Sequence, residues 1–271
     1  MARTKIHPPE YEYNGYMSLL LNGVQQRQRI LIGIPMTGLV RAEWALARWG
    51  AYIPPNWTSS DCIQFLNQMT PLGYSVADAR NLIVHTALQH HFEWVFFNDS
   101  DTIVPPHIFV TLNDYMREAK IPVVAGLYFA KCAPAEPLVY RGRGNSYFAR
   151  WQMGDKVWVD GVPMGCTLIH CSVLQAMATE APEYLAGGVH LVKQVFDTPK
   201  VMWTDPEAGT MQRMEGTEDL AWCDRVIRGE FLKKAGWPAV AKRKWPFLID
   251  TTLFCYHIRE DGVKFPLEFR W

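Results

Sequence analysis

The stretch Glu93-Trp94-Val95-Phe96-Phe97-Asn98, which runs into Asp99-Ser100-Asp101-Thr102 and is halted by Pro105-Pro106, constrains this chain more than any other. A bulky run with no polar alternation is not a half-solvated strand. It reads as an inner strand buried on both faces, the usual condition in a parallel sheet. Its exit carries two carboxylates, and open α/β sheets bind ligands outside the carboxyl ends of their strands. If the backbone stays extended there, Asp99 and Asp101 lie on one side, close enough to share a hard cation. Mg²⁺ or Mn²⁺ would take their oxygens and keep positions open for the oxygens of a diphosphate. The competing reading is a turn in which Asp99 or Asp101 caps a helix beginning near Pro105.

The surrounding text supports a sheet. Arg29-Ile30-Leu31-Ile32-Gly33-Ile34-Pro35 reads as a first buried strand, and Leu39 to Trp49 as a helix broken by Pro54-Pro55-Asn56. Asp61 to Met69 is a weaker strand, and Ser75 to His91 a helix with Ser75 or Asp78 as N-cap. Ile108 to Ala119 is helical and Ile121 to Tyr128 a further strand, so strands and helices alternate and predict an α/β core with a parallel sheet. Val139 to Val159 resembles a hairpin, and Val162 to Cys171 is a strand with glycine at its centre. Val173 to Glu180 and Thr217 to Ala235 are helices, and Phe247 to His257 is a last strand. Between them Gly187 to Gly216 lacks periodicity and reads as a flap.

Composition narrows the class. With 49% hydrophobic residues among 271, the chain can bury one substantial core. Lys plus Arg and Asp plus Glu number 27 each, so no overall field favours nucleic acid or an anionic membrane. The six cysteines form no C-x-x-C pair, which argues against a zinc site or a disulfide scaffold and fits a reducing, cytoplasmic setting. Met1 to Gln28 matches neither a secretory nor a transit signal, and no run approaches the roughly 18 apolar residues of a membrane span.

Further along, Gly216-Thr217-Glu218-Asp219-Leu220-Ala221-Trp222-Cys223 places two acids in the first turn of a helix, followed by Arg225 and Ala235-Gly236-Trp237. Such acids complement the helix dipole without any catalysis, and Thr217 would cap the helix. The dipole lowers a carboxylate pKa, so a base at this position needs burial to restore it. His257, between Tyr256 and Ile258, reads on its own as a half-buried histidine.

Taken in order, these pieces resemble a GT-A fold glycosyltransferase, similar to the large inverting family 2 that includes cellulose and chitin synthases and many lipopolysaccharide transferases. The likeness runs over residues 29 to 260 as one α/β, Rossmann-like domain, with residues 1–28 an N-terminal extension and 261–271 a tail. It rests on the strand ending at Pro35, on Ala79-Arg80-Asn81, on Asp99-Ser100-Asp101, on the Glu218-Asp219 helix and on His257. The resemblance implies a nucleoside-diphosphate-sugar donor contacted by Pro35, Arg80, Asn81, Asp99 and Gly165. It implies Mn²⁺ or Mg²⁺ on Asp101, Asp99 and His257, with Asp101 the direct ligand and Asp99 turned to ribose or a metal-bound water. Asp219, with Glu218 second, would take the acceptor proton. Asp160-Gly161-Val162-Pro163-Met164-Gly165 would shape the sugar pocket. The chain departs from the family in its short segment between the first two strands, where Asp61 alone offers to read the base.

The acceptor stays open among a saccharide, a lipid-linked acceptor and a nucleic acid. Tyr140 to Arg143, Tyr147 to Trp151, Trp158 and Lys233 to Trp245 interleave cations with rings, which suits phosphate-rich ligands or plain aromatic packing. Three other readings compete. A phosphatase of the haloacid dehalogenase type also ends a strand in paired aspartates, but on its first strand, and Ile103 stands where that family has Thr or Val. A nucleotidyltransferase should show a glycine-rich phosphate loop, which Gly33 and Gly38 do not make. A non-catalytic binding module would have no need of Asp99, Asp101, Asp219 and His257 together.

Overall fold

A computed structural model describes residues 30–54, 57, 68–142, 147–204 and 211–267. The expected N-terminal extension, Asp61 and the rest of its strand up to residue 67, and the last residues of the expected tail lie outside that set.

The central sheet has seven strands in the order β2-β1-β3-β7-β5-β12-β6. These are β1 (Ile30–Gly33), β2 (Gln68–Met69), β3 (Trp94–Asn98), β5 (Val123–Leu127), β6 (Lys156–Val159), β7 (Cys166–His170) and β12 (Phe247–Phe254). β1 runs parallel to β2 and β3, and β12 parallel to β5, whereas β7 is antiparallel to both β3 and β5 and β6 is antiparallel to β12. The sheet is therefore mostly parallel and flanked by helices, the α/β, Rossmann-like architecture expected of a GT-A chain.

Every residue of β3 is buried, and the strand period divides its side chains between two layers. Val95 and Phe97 join the core under α2 (Val76–Gln89), α4 (Cys171–Glu180) and α5 (Glu218–Arg228). Trp94 and Phe96 join the opposite core under α1 (Ala42–Trp49) and α3 (Ile108–Glu118). Ser75 caps α2 as expected, its hydroxyl accepting from the Asp78 amide at 3.2 Å.

Several expected elements are broken or paired differently. The helix expected over 217–235 stops at Gly229, because Glu230 adopts a left-handed conformation (φ 52°), and resumes as the short α6 (Phe231–Lys234), followed by α7 (Pro238–Ala241). The last strand is also divided. Its register with β5 jumps between Asp250 and Phe254, and after Cys255 the chain leaves the main sheet as β13 (Tyr256–Ile258). β13 lies between β4 (Thr102–Ile103) and β14 (Lys264–Phe265), so the stretch expected as a tail contributes a strand. The 139–159 region is not a simple hairpin: Tyr140 makes isolated bridges to Tyr147 and Gly161, and β6 pairs with β12. The expected flap contains β9 (His190–Lys193), which pairs antiparallel with β8 (Glu183–Ala186) just before it, and the antiparallel pair β10 (Lys200–Thr204) with β11 (Met211–Glu215).

Two glycines are set by close approach. A Cβ on Gly126 would lie 2.7 Å from the Leu253 carbonyl and 2.8 Å from Cys166 Sγ, where β12 and β7 crowd β5. A Cβ on Gly165 would lie 2.6 Å from both Thr102 Oγ1 and the Tyr128 hydroxyl.

Candidate active site

The site sits where β3 ends. Asp99-Ser100-Asp101 is a turn, closed by a 3.0 Å bond from the Thr102 amide to the Asp99 carbonyl. The extended geometry that would set both carboxylates on one side is thus corrected, and they serve different partners. Backbone and buried side chains hold the turn. The Asp99 amide donates to the Gly165 carbonyl (3.0 Å), Trp44 Nε1 to the Asp99 carbonyl (2.8 Å) and Asn98 Nδ2 to the Thr102 carbonyl (3.0 Å).

Asp99 pairs with Arg80. Arg80 Nη2 donates to Asp99 Oδ2 at 2.9 Å and Arg80 Nε to Glu218 Oε1 at 3.1 Å, so one guanidinium ties the exit of β3 to the start of α5. Its side chain is 2% exposed and its head stacks over Phe97, 5.1 Å from the ring centroid. Burial disfavours the Arg80 charge, but Asp99 and Glu218 more than offset it and the pKa rises. The Asp99 carboxyl is pushed above its ordinary value by burial, with Arg80 opposing and the charges of Asp101 and Glu218 adding. Asp99 Oδ1 and Arg80 Nη1 are buried with no hydrogen-bond partner among the described residues.

Asp101 faces the other way. Its Oδ2 accepts from Lys131 Nζ at 2.5 Å and lies 3.4 Å from His257 Nε2. Strand pairing fixes the histidine: His257 is in register with Thr102, and the Ile258 amide donates to the Asp101 carbonyl at 2.8 Å. His257 Nδ1 is 3.0 Å from the Phe129 carbonyl, which can only accept, so Nδ1 carries a proton. Toward Asp101, Nε2 donates when the ring carries a second proton and offers a lone pair to a metal when it does not. Burial raises the Asp101 pKa, but the hydrogen bonds and charges of His257 and Lys131 prevail and hold the carboxyl well below the usual range.

Asp219 belongs to the first turn of α5, with Trp222, Cys223 and Val226 at i+3, i+4 and i+7 buried in the core beneath it. Thr217 occupies the N-cap position, but its side chain makes no cap bond to the helix backbone. Asp219 Oδ1 accepts from the Leu220 amide at 2.7 Å. Burial and then the Glu218 charge raise its pKa, against hydrogen bonds from Thr217 and Leu220 and the Arg80 charge, so burial does overcome the helix terminus. Tyr140 is close enough to feel it: burial first, then Asp219, pushes that phenol up to about 12.

The remaining expected donor contacts are placed as follows. Pro35 is buried two residues past Gly33, which pairs with Phe97, so it lies level with Asp99 at the same sheet edge. Asn81, expected among the donor contacts, is 1% exposed, its amide donating to the Phe196 carbonyl (2.8 Å) and the Tyr184 hydroxyl (2.9 Å) and accepting from the Phe196 amide (2.7 Å). Arg80, also expected among the donor contacts, has its buried guanidinium held by the Asp99 and Glu218 carboxylates. Gly165 is needed for close packing against Thr102 and Tyr128, whose hydroxyl accepts from the Gly165 amide at 2.8 Å. The basic and aromatic residues beyond residue 139 largely pack on each other. The Arg141 guanidinium lies 3.7 Å from the Phe148 centroid and 4.0 Å from that of Trp245, and Arg243 lies 3.8 Å from that of Trp158.

Sequence reasoning missed Lys131, four residues beyond the end of β5. The available signal was that β5 ends at the same sheet edge as β3.

Among the described residues no group of three or more His, Cys, Asp and Glu side chains is arranged to hold a metal. Mg²⁺ and Mn²⁺ are nonetheless commonly held by one or two protein carboxylates, with substrate phosphates and water completing the shell. Asp101, 41% exposed at its side chain, and the Nε2 lone pair of His257 fit such a two-donor site. The hydrogen bond from His257 Nδ1 to a carbonyl is the outer contact that orients ligating histidines. Asp99 fits less well, because Arg80 holds Oδ2 and Oδ1 is buried.

The fold matches the crystal structure of A197 from STIV with a TM-score of 0.51 at 16% identity, over 87% of this chain and 90% of that one. Two crystal structures of S. aureus TarS 1-349 score lower. The complex with UDP has a TM-score of 0.35 at 11% identity over 57% of this chain and 50% of that one. The complex with UDP-GlcNAc has 0.36 at 12% identity over 57% and 48%. This chain therefore spans about half of the TarS chain, and only the likeness to A197 bears on the fold. No protein-family model and no curated protein sequence matches the chain.

Proposed function

We propose that this chain is a glycosyltransferase that moves a sugar from a nucleoside-diphosphate-sugar donor to an acceptor hydroxyl, with inversion. The reading rests on one arrangement: at a single sheet edge, Arg80 ties Glu218, beside Asp219, to Asp99, in the same turn as Asp101, which is partly exposed beside His257. That arrangement supplies both ends of a sugar transfer, a place for a diphosphate and a carboxylate base.

Asp101 and His257 would hold Mn²⁺ or Mg²⁺, which when bound supplies positive charge for the departing diphosphate. The acceptor oxygen bonds to the anomeric carbon as the bond from that carbon to the diphosphate oxygen breaks, and the electron pair leaves with the diphosphate. Asp219 takes the acceptor proton, a task its raised pKa suits better than an ordinary surface aspartate. Glu218 and Asp99 do not share that task, since Arg80 engages both. Arg80 holds α5 and the β3 turn in mutual register and so positions Asp219. Pro35 and Gly165 bound the donor pocket at the exits of β1 and before β7. Residues 29 to 260 act as one catalytic domain. Among the described residues no helix is long and apolar enough to cross a membrane.

Thermal unfolding with nucleoside diphosphates and nucleotide sugars, with and without Mn²⁺, tests the reading, because a ligand that binds only the native state raises the midpoint. A Mn²⁺-dependent rise with one base, lost in Asp101→Ala and His257→Ala, is expected. A flat response across the whole panel would overturn it.

A further inference from the structure

Lys131 has no role in the reading above, yet its ammonium touches the carboxylate on which that reading depends. Its side chain is 29% exposed against 41% for Asp101, so the pair is open to ligand and is not sealed in the core. Lys131 also lines a cleft of about 450 Å³ together with Cys132, Arg259, Val263 and Phe265. The other cation of that wall, Arg259, is held by Asp261 through Nε and Nη2 at 3.0 and 2.5 Å.

We propose that Lys131 is a direct ligand of the donor diphosphate, placed to neutralise the charge that builds up there as the sugar leaves. The proposal rests on the glycosyltransferase reading and adds to it a residue that touches the reacting group. A partly exposed ion pair contributes little to stability, so holding Asp101 gives little reason for a lysine here. A fixed positive charge aimed at developing negative charge is among the largest contributions a protein can make to a transfer. Lysine suits the place because its charge is compact and its stem flexible, so it can stay within reach of Asp101 while turning to a phosphate oxygen. Asp101 and His257 fix the position from one side by strand pairing, and the end of β5 brings Lys131 from the other. During transfer Lys131 keeps its protons: the bond from the anomeric carbon to the diphosphate oxygen breaks, its electron pair goes to the diphosphate, and the acceptor proton goes to Asp219.

Calorimetric titration of the wild-type chain, Lys131→Met and Lys131→Arg with UDP, GDP, ADP and CDP and with the matching monophosphates, in Mn²⁺ and in EDTA, tests this. For the base that the wild-type chain binds, Lys131→Met should weaken the diphosphate about tenfold or more while leaving the monophosphate within about twofold, and Lys131→Arg should restore most of the loss. Equal weakening of both ligands would mean that Lys131 only shapes the site, and no weakening would mean that it does not meet the donor; either result overturns the proposal. If the wild-type chain binds none of the four diphosphates, the glycosyltransferase reading fails first and Lys131 falls with it. Binding by the wild type that Lys131→Met leaves unchanged removes Lys131 alone.

Discussion

Replacing Arg80 with methionine fills much the same space and removes the charge, and the structure allows its cost to be worked out. The substitution removes the bond to Asp99 at 2.9 Å, the bond to Glu218 at 3.1 Å and the contact with the Phe97 ring. Breaking a buried charge pair by removing one partner costs about 3–5 kcal/mol, because the remaining charge loses its compensation in a poor solvent. Asp99 and Glu218 keep 25% and 15% side-chain exposure, so water recovers part of the loss and the expected cost lies near the lower end, about 3 kcal/mol. For a chain of this size that is a fall in Tm of roughly 6–12 °C. The pH dependence carries the sharper test. Burial already holds the folded Asp99 pKa above its unfolded value, and loss of Arg80 moves it higher still. A folded state that binds more protons than the unfolded one loses stability as pH rises through the folded pKa. The deficit of Arg80→Met should therefore be largest at alkaline pH and shrink as the pH is lowered and Asp99 takes up a proton. A lysine at this position restores one charge without the two-pronged fork, so Arg80→Lys should recover only part of the loss. Denaturant melts of both variants across pH would measure it; a deficit below about 1 kcal/mol, or one that does not change with pH, would refute the idea that Arg80 neutralises two buried carboxylates.

Asp219→Asn should abolish transfer while changing donor affinity only a few-fold, and the wild-type rate should rise with pH through a midpoint above the 3.8 of an ordinary aspartate; a rate flat in pH and untouched by the substitution would remove Asp219 as the base. Tyr115→Phe deletes a 2.6 Å hydrogen bond to Asp250, which is 2% exposed and sits where β12 begins its bulge, so a chemical melt should show a loss of about 1–3 kcal/mol, and a loss near zero would mean that Thr252 alone satisfies the carboxylate.

The strand ending in Asp99-Ser100-Asp101 was legible because burial on both faces leaves an unbroken apolar run, and the α5 face because Asp219, Trp222, Cys223 and Val226 repeat at helical spacing. Strand direction was not legible. β7 is buried from Cys166 to Ile169 like its neighbours, and an apolar run reads the same whichever way it pairs. The turn at Asp99 was legible only as the competing reading, because the bonds that anchor it go to Gly165 and Trp44, which are distant in sequence. Arg80 was recognised as important, but a lone arginine on a helix carries no mark of the two carboxylates that tertiary packing sets beside it. Lys131 was missed because nothing local links it to Asp101. The break at Gly229 had its own local signal, a glycine followed by the left-handed Glu230, which the longer helical pattern obscured.

The short pairing of β4 with β13 has a consequence for synthesis. Asp101 is translated with β4, but the histidine that faces it arrives only on β13, after β12 has been made. A nascent chain therefore carries the Asp101 carboxylate without the partner that completes the site until β13 has emerged. Contacts this far apart in sequence form late, since the loop between them must close before they contribute. A ligand that needs both side chains is thus kept waiting until β13 has been made, and its binding reports on the pairing of β4 with β13.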